Sequence, residues 1–252
     1  MRSSLPFFFV LVAACGSDDI DIPAGGSPYG TAAGTTVVIG ADGARATTAP
    51  ADARACAADE RRDVIVDSAG KVVATLCYPT LDTPAELEST GNVTIDRTAG
   101  KAVLALDGKD DGLDVTGNVE VASNNAVIYG QGPAVSIIGG NVDARGNNFS
   151  ARGLTVKGNV EVDGNNATLA LCVIEGNVKL EGNNNVIADC TIRGNVEIDG
   201  NNNVFVRNRV AGTIEIEDGR NAVCDGNLVW SDANGNRIFD AGETSGALAC
   251  AR

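Results

Sequence analysis

The sequence predicts an all-β protein, a single-stranded parallel β-helix (solenoid) built from 18-residue coils. Gly-Asn-Val recurs every 18 residues from Gly140 to Gly194, and Gly-Asn-Asn recurs at the same step from Gly146 to Gly200. A fixed period indicates stacked copies of one unit. Within each copy apolar and polar residues alternate, as in 160–163, which is typical of a strand with one buried face. The density of Gly, Asn and Val, with no 3.6-residue stripe, argues against helices.

The handedness of the predicted β-helix is open. Parallel crossovers are right-handed in nearly all sheets, so a right-handed β-helix is favoured. Aliphatic residues that recur every six positions, from Val156 to Leu228, resemble instead the hexapeptide repeat of left-handed β-helices. In that repeat the next position is usually Gly, Ala, Asp or Glu, whereas here Leu169 and Ile187 stand there. The left-handed form stays the alternative.

Residues 18 positions apart should lie in columns along the stack. The predicted inward columns are Val142, Val160, Val178, Val196 and Ile214, and Ala144, Val162, Leu180, Ile198 and Ile216. Charged residues between them should face solvent. Glycine and asparagine tolerate positive φ, so Gly-Asn-Asn predicts corners. Amide hydrogen bonds could join the stacked residues Asn147, Asn165, Asn183 and Asn201 into a ladder, and a polar binding face is the alternative for these columns.

One column departs from this alternation. Leu169, Ile187, Phe205 and Val223 lie between residues predicted to be buried, so we expect them to form an outward apolar stripe. Either another segment of the chain or a partner should cover such a stripe. The strands predicted near Val64 to Leu76 are the favoured cover.

Residues 1–14 predict a signal peptide. Arg2 precedes an apolar run from Leu5 to Val12, which is too short to span a bilayer as a helix. The ending Val12-Ala13-Ala14-Cys15 resembles the lipobox of bacterial lipoproteins, which implies cleavage before Cys15 and lipidation of Cys15; a plain secretory signal is the alternative. By the same resemblance, the following Gly-Ser implies an outer-membrane lipoprotein of the cell envelope, on the periplasmic or the surface face.

Residues 15–50 predict a lipidated flexible tether, because Gly, Ala, Ser, Thr and Pro cannot bury a core. The apolar run 35–40 within it could be a strand, which leaves the boundary open. The formal net charge of −14 excludes a nucleic-acid partner. The expected partners are the membrane, reached through the lipid, and an envelope protein or glycan.

Six cysteines besides Cys15 suit an oxidising compartment. Residues 51–90 predict an N-terminal cap with a hairpin that turns at 68–70, and Cys56 and Cys77 bracket this hairpin and should pair. The candidates for the remaining bonds are Cys224 with Cys250, and Cys172 with Cys190. Cys172 and Cys190 stand one repeat apart and suit a disulfide or a reduced buried pair equally well.

The predicted β-helix spans 91–229, and 230–252 predict a calcium-type loop and tail. Oxygen ligands stand at the loop positions that Ca²⁺ uses. The predicted ligands are Asp232, Asn234, Asn236, the carbonyl of Ile238, Asp240 and Glu243. The loop resembles that of EF-hands and of B-type repeats in serine-aspartate repeat surface proteins, although Arg237 stands where both have Gly. A turn that closes the solenoid is the alternative.

The Val-x-Val-x-Gly-Asn-Asn pattern at 160–166 and 196–202 resembles a bacterial family of secreted and lipoprotein domains of unknown function. The family implies no activity. Regular acidic columns without flanking aromatics, and a chain without histidine, argue against catalysis. The expected function is that of a lipid-anchored envelope structural or interaction protein that is not an enzyme. The alternative is a polysaccharide-binding or polysaccharide-cleaving β-helix.

Overall fold

The computed structural model describes residues 36–41, 43–46, 49–79, 91–96, 102–106, 114–134, 136–217, 221–235 and 242–250. Every regular element in these ranges is a β-strand, and we number the strands β1 to β25 along the chain. They form one four-stranded sheet and three seven-stranded sheets. The predicted all-β class is therefore confirmed.

The three seven-stranded sheets, termed the first, second and third stacked sheets, receive strands in rotation, so each repeat adds one strand to each sheet. The first stacked sheet contains β5 (Val93–Ile95), β7 (Val119–Val121), β10 (Val142–Ala144), β13 (Val160–Val162), β16 (Val178–Glu181), β19 (Val196–Asp199) and β22 (Ile214–Glu217). The second contains β6 (Val103–Leu106), β8 (Val127–Gly130), β11 (Ser150–Arg152), β14 (Thr168–Ala170), β17 (Val186–Ala188), β20 (Val204–Val206) and β23 (Val223–Asp225). The third contains β9 (Ile137–Ile138), β12 (Thr155–Val156), β15 (Val173–Ile174), β18 (Thr191–Ile192), β21 (Arg209–Val210), β24 (Leu228–Trp230) and β25 (Thr244–Ala247).

Apart from β25, neighbouring strands of the stack are parallel and in the register that the repeat predicts. Val142 pairs with Val160, and Val160 pairs with Val178, at 18-residue steps. The earlier pairs, Val93 with Val119 and Val119 with Val142, keep the longer steps seen in the sequence. A one-residue insertion near the end makes Val204 pair with Val223 rather than with residue 222.

Apolar side chains from all three stacked sheets fill one core. The predicted inward columns of the first sheet are buried, from Val142 to Ile214 and from Ala144 to Ile216. The prediction for the second sheet is wrong by one residue. Leu169, Ile187 and Phe205 lie in this core instead of facing outward, while Val186 and Val206 face the N-terminal strands. Val223 is not their continuation, since Phe205 pairs with Cys224.

The corners explain this shift of one residue. The second Asn of each Gly-Asn-Asn motif adopts positive φ, from 58° to 60° at Asn148, Asn166, Asn184 and Asn202, and this reverses the side on which the next residues lie. A further corner has positive φ at Gly153, Leu171, Asp189, Arg207 and Gly226, where most residues are not glycine. The in-out alternation therefore restarts at each corner.

The glycine of Gly-Asn-Val is needed for close approach rather than for positive φ. A Cβ atom on Gly176 would lie 2.5 Å from Asn159 Oδ1 and 2.5 Å from the carbonyl oxygen of Gly158. The second contact cannot be relieved without a backbone shift, so this column has no room for a side chain from Gly117 onward.

The four-stranded sheet, termed the N-terminal sheet, has the order β2-β1-β3-β4. Its strands are β1 (Thr36–Gly40), β2 (Gly43–Ala46), β3 (Glu60–Val66) and β4 (Val72–Pro79). The predicted hairpin is confirmed: β3 and β4 are antiparallel, and Asp67 N–H donates to the Lys71 carbonyl at 2.9 Å. Residues 36–40 and 43–46, predicted within the tether, belong to this sheet because β1 pairs with both β2 and β3.

The N-terminal sheet packs along the side of the stack. Ile65, Leu76 and Tyr78 share an apolar cluster with side chains of the second stacked sheet, from Val127 to Val206. Residues 51–90 were predicted to cap the end of the solenoid. Their described strands instead cover the side of the stack across several repeats. The N-terminal strands were the predicted cover of an apolar stripe, and they cover outward residues of the second sheet other than those predicted.

The last strand closes part of the far end. β25 is antiparallel to β24, with a register shift between Val229 and Trp230. Leu248 and the Cys224–Cys250 pair then pack against the core of the stack. This end of the core is therefore covered by the tail.

Candidate functional site

The structure describes three of the six predicted calcium ligands, Asp232, Asn234 and Glu243. Asn236, Ile238 and Asp240 lie outside the described residues, as does Arg237. The Glu243 carboxylate accepts hydrogen bonds from Trp230 Nε1 and from the Ala233 N–H, both at 3.1 Å. Asp232 Oδ2 accepts from Arg193 at 2.9 Å.

This arrangement tests the calcium prediction. Position twelve of such a loop normally gives both carboxylate oxygens to the ion. Here both oxygens of Glu243 already accept protein N–H groups, and the charge of Asp232 is balanced by a guanidinium. The Arg193 guanidinium also lies 5.9 Å from the centre of the Trp230 ring. In this arrangement the described carboxylates already have protein partners, and the calcium site stays a prediction.

Two of the predicted disulfides are confirmed. Cys56 bonds to Cys77, with Cα atoms 5.5 Å apart, and Cys224 bonds to Cys250, with Cα atoms 6.3 Å apart. Cys172 and Cys190 are free thiols buried in the core, so the reduced alternative holds in this structure. Burial raises the pKa of the Cys190 thiol, while a hydrogen bond from Cys190 lowers the pKa of Cys172.

Cys15, the predicted lipidation site, lies outside the described residues, as does the predicted signal peptide at 1–14. Within the ranges that the structure describes, no helix is long and apolar enough to cross a membrane.

Charged columns line the outer face of the first stacked sheet, as predicted. Glu161 and Glu215 are exposed, and Lys179 interrupts the acidic column and lies 3.6 Å from Glu197. Partial burial and then the charges of Glu181 and Asp143 raise the pKa of Asp163. These exposed contacts are worth little stability, but they make a regular acidic surface.

Asparagine ladders run along the corners, as predicted for Asn147, Asn165, Asn183 and Asn201. The N–H and the Nδ2 of Asn183 both donate to Asn165 Oδ1, at 2.8 and 3.0 Å. A buried ladder was not predicted: the N–H of Cys190 donates to Asn208 Oδ1 at 2.9 Å, and Asn208 Nδ2 donates to the Ile187 carbonyl at 2.9 Å. Side-chain amides thus replace backbone partners where the strands end.

A buried ionic cluster joins the N-terminal sheet to the stack. Asp63 is fully buried and accepts hydrogen bonds from Arg61 at 3.3 Å, from Tyr78 Oη at 3.0 Å and from Arg152. Burial and the nearby Asp63 carboxylate raise the pKa of Tyr78. Burial disfavours the Arg152 cation, but the charge of Asp63 outweighs this and raises the pKa of Arg152.

A second contact lies three repeats further along. Arg207 binds Asp189 through two hydrogen bonds, at 2.8 and 2.7 Å, and also donates to the carbonyl oxygen of Val66. The N–H of Ser68 donates to Asp225 at 2.9 Å. Sequence reasoning missed these residues. The available signal was that Arg152 interrupts a column that otherwise reads Tyr129, Ala170, Ala188 and Val206.

A groove of about 280 Å³ lies beside the N-terminal sheet. Its lining residues are Asp52, Arg54, Val72, Val73, Ala74, Thr75, Asn148, Ser150, Asn166, Thr168, Asn184 and Val186. One side is thus the outer strand of a sheet, and the other is a row of stacked carboxamides.

No protein-family model, curated protein or solved structure matches the chain.

Proposed function

We propose that this protein is a lipid-anchored structural or interaction protein of the cell envelope, without catalytic activity. In this proposal the three stacked sheets wind as a parallel β-helix, right-handed because parallel crossovers nearly always are. Lipid on Cys15 would tie the chain to the outer membrane. The stack would then present a rigid acidic surface to the envelope.

The observation that carries the proposal is the unbroken strand register of the stack. Each stacked sheet has seven strands, and the register holds through pairs such as Val178 with Val196 and Val196 with Ile214. Exposed carboxylates such as Glu161 and Glu215 repeat on this frame in similar surroundings. A catalytic pair of carboxylates instead needs two unlike environments that separate the two pKa values. Repetition therefore favours a structural surface over an active site.

Lipidation and location can be tested together. The full chain would be expressed in a bacterium with an outer membrane and fed an alkyne-tagged fatty acid. We expect tagged protein in the outer-membrane fraction, and we expect Cys15→Ala to lose both the tag and that location. A tag that persists in Cys15→Ala, or untagged wild-type protein, would contradict the anchor.

The interaction role is tested separately from the anchor. Cross-linking in intact cells, followed by identification of envelope proteins joined to the lipidated chain, should give a defined set of partners. Binding on a glycan array, or release of reducing ends from envelope polysaccharides, would instead favour the polysaccharide alternative.

A further inference from the structure

The groove beside the N-terminal sheet has an unusual wall, because β4 is the last strand of that sheet. Among the described residues β4 pairs with β3 only. Alternate backbone N–H and C=O groups on its other edge therefore point away from the sheet, and Val72 to Thr75 line the groove at this edge. An unpaired strand edge is a template for another strand.

The direction of β4 matters for what could bind. Asp63 in β3 contacts Arg152, whereas Val66, near the end of β3, contacts Arg207, three repeats further along the stack. Strand β3 thus runs along the stacking direction, across the strands of the second stacked sheet. Because β4 is antiparallel to β3, its free edge runs along the same direction. The groove therefore follows β4 and crosses successive repeats.

The opposite wall offers hydrogen-bond donors. Asn166 Nδ2 donates to Asn148 Oδ1 at 3.2 Å, and Asn184 Nδ2 donates to Asn166 Oδ1 at 3.3 Å. A carboxamide carries two N–H donors, and each link of this ladder uses one of them. The other N–H of each amide can serve a bound group. Ser150 and Thr168 supply hydroxyl groups between this wall and β4.

The groove also continues an interface that already exists. The N-terminal sheet covers the outward column that contains Tyr129, Ala188 and Val206. The neighbouring outward column is already buried against that sheet at Val186, but it continues through Val204 to Val223, which is 43% exposed. One more strand beside β4 would extend the same sheet over the remainder of this column.

We propose that this groove binds an extended peptide segment of another protein, which joins the N-terminal sheet as a fifth strand. The peptide main chain would bond to the free edge of β4, as in other cases of strand addition. Its side chains directed into the groove would be small or hydroxylated, because the lining is mostly polar, has mostly short side chains apart from Arg54 and includes no aromatic residue. This inference gives a partner class to the interaction role proposed above and rests on that role.

The experiment uses a capped peptide of alternating Thr and Val residues, with a control peptide in which one central residue is Pro. Hydrogen exchange of the backbone amides of Val72 to Thr75 would be measured in the full mature protein with and without each peptide. We expect the Thr-Val peptide to slow the outward-facing amides about tenfold, and the Pro peptide to have no such effect because it lacks an N–H.

Asn166→Asp tests the carboxamide wall, since Asp tolerates the same positive φ but has no N–H donor. We expect it to weaken peptide binding about fivefold, the value of one hydrogen bond. The matched control is Asn202→Asp, which has the same φ and the same ladder bond but lies outside the groove. It should leave binding unchanged.

Three results would overturn the proposal. The first is unchanged exchange of 72–75 at saturating peptide. The second is an equal loss of binding in both variants. The third is slow exchange of the outward β4 amides before any peptide is added, which would mean that another segment of this chain already pairs with the edge of β4. Failure here with an intact Cys15 anchor and cross-linked partners would leave the proposed function standing.

Discussion

The stack and the N-terminal sheet are stabilised in different ways. In the stack successive repeats share one set of equivalent contacts, as in the ladder of Asn165 and Asn183. The N-terminal sheet depends on contacts that occur once, such as the buried Asp63 cluster and the Cys56–Cys77 disulfide. Repetition spreads stability over many equivalent sites, whereas a single cluster concentrates it.

This difference has a consequence for mutation. Removing one member of a repeated column leaves the others in place, so the loss of stability depends on how deeply that one residue is buried. Removing the carboxylate of the single cluster takes away a counter-charge from buried guanidinium groups. The following substitutions test this contrast, beginning with the largest effect.

Asp63→Ala should have the largest effect. It leaves the Arg61 and Arg152 guanidinium groups buried without their carboxylate, and such losses cost about 3–5 kcal/mol. Chemical denaturation would measure the free energy of unfolding, and limited proteolysis should show the N-terminal sheet cleaved before the stack.

The double variant Asp63→Leu with Arg152→Met is the control for Asp63→Ala. Replacing a buried ion pair by apolar residues is often close to neutral, so it should recover part of the loss. A double variant no more stable than Asp63→Ala would show that the charges do not cause the effect.

Asn208→Ala should be the most damaging change within the asparagine ladders. It removes the acceptor of the Cys190 N–H and the donor to the Ile187 carbonyl, both in the buried interior, at a cost of about 2–3 kcal/mol. Asn195→Ala removes the acceptor of the Thr213 N–H at an exposed corner, where water can replace it, and should cost about 1 kcal/mol or less. Equal losses in the two denaturation curves would contradict the role of burial.

Gly176→Ala tests close approach between repeats. The new Cβ would meet backbone at 2.5 Å, so the repeats must separate locally, at about 1–3 kcal/mol. Gly91 stands in the same column at its first position and has open space around its Cβ position. Gly91→Ala should therefore stay within about 0.5 kcal/mol of wild type. If Gly176→Ala and Gly91→Ala lower the melting temperature equally, then the conformational freedom of glycine, rather than crowding around a Cβ atom, explains why this column contains glycine.

Acid should weaken the contact between the N-terminal hairpin and the last repeats. Hydrogen bonds from Ser68 lower the pKa of Asp225. A lowered folded-state pKa gives stability that is present above the ordinary Asp value of about 3.9 and is lost as pH falls through the lowered value. The melting-temperature difference between wild type and Asp225→Asn should therefore be small at pH 7 and vanish in this acid range. A difference that grows in acid would contradict this sign.

Calcium should have the smallest effect. Because protein donors already occupy Glu243 and Arg193 faces Asp232, we expect the chelator EGTA to leave the melting temperature unchanged. Arg193→Met should lower it, since Asp232 then loses its counter-charge. A clear fall on adding EGTA that Asp232→Ala abolishes would instead establish the calcium site predicted from the sequence.

The same contrast between regions decides what the sequence could predict. The first stacked sheet was predicted residue by residue from Val142 onward, and the third from Ile174 to Val210, because an 18-residue period identifies equivalent positions. The predicted Leu228 is not the next member of the third-sheet column, since a one-residue insertion makes Val210 pair with Val229. The second sheet was predicted one residue out of phase. The reason is that the positive φ of residues such as Asn166 breaks the alternation between strands, and the sequence pattern does not show which Asn of the pair adopts it.

Contacts that occur only once in the molecule produce no periodic pattern in the sequence. Arg152 and Arg207 stand alone in their columns, so their partners Asp63 and Asp189 follow only from the packed structure. The two disulfides were predictable because cysteines bracket a hairpin and a tail. For the calcium loop, spacing alone does not reveal that Trp230 and Arg193 bond to two of the predicted ligands, Glu243 and Asp232.

The columns of Gly-Asn-Val also bear on how such a chain can change length during evolution. The backbone N–H of each asparagine donates to the side-chain oxygen of the equivalent asparagine in the preceding repeat, and its own side-chain oxygen accepts from the following repeat. Asn159 is joined in this way to Asn141 and to Asn177. Every internal repeat therefore offers the same donor to the repeat before it and the same acceptor to the repeat after it. Duplication or loss of a whole 18-residue unit would conserve every such junction, whereas an insertion of any other size must be expelled as a loop. The length of the stack can thus change in steps of one repeat.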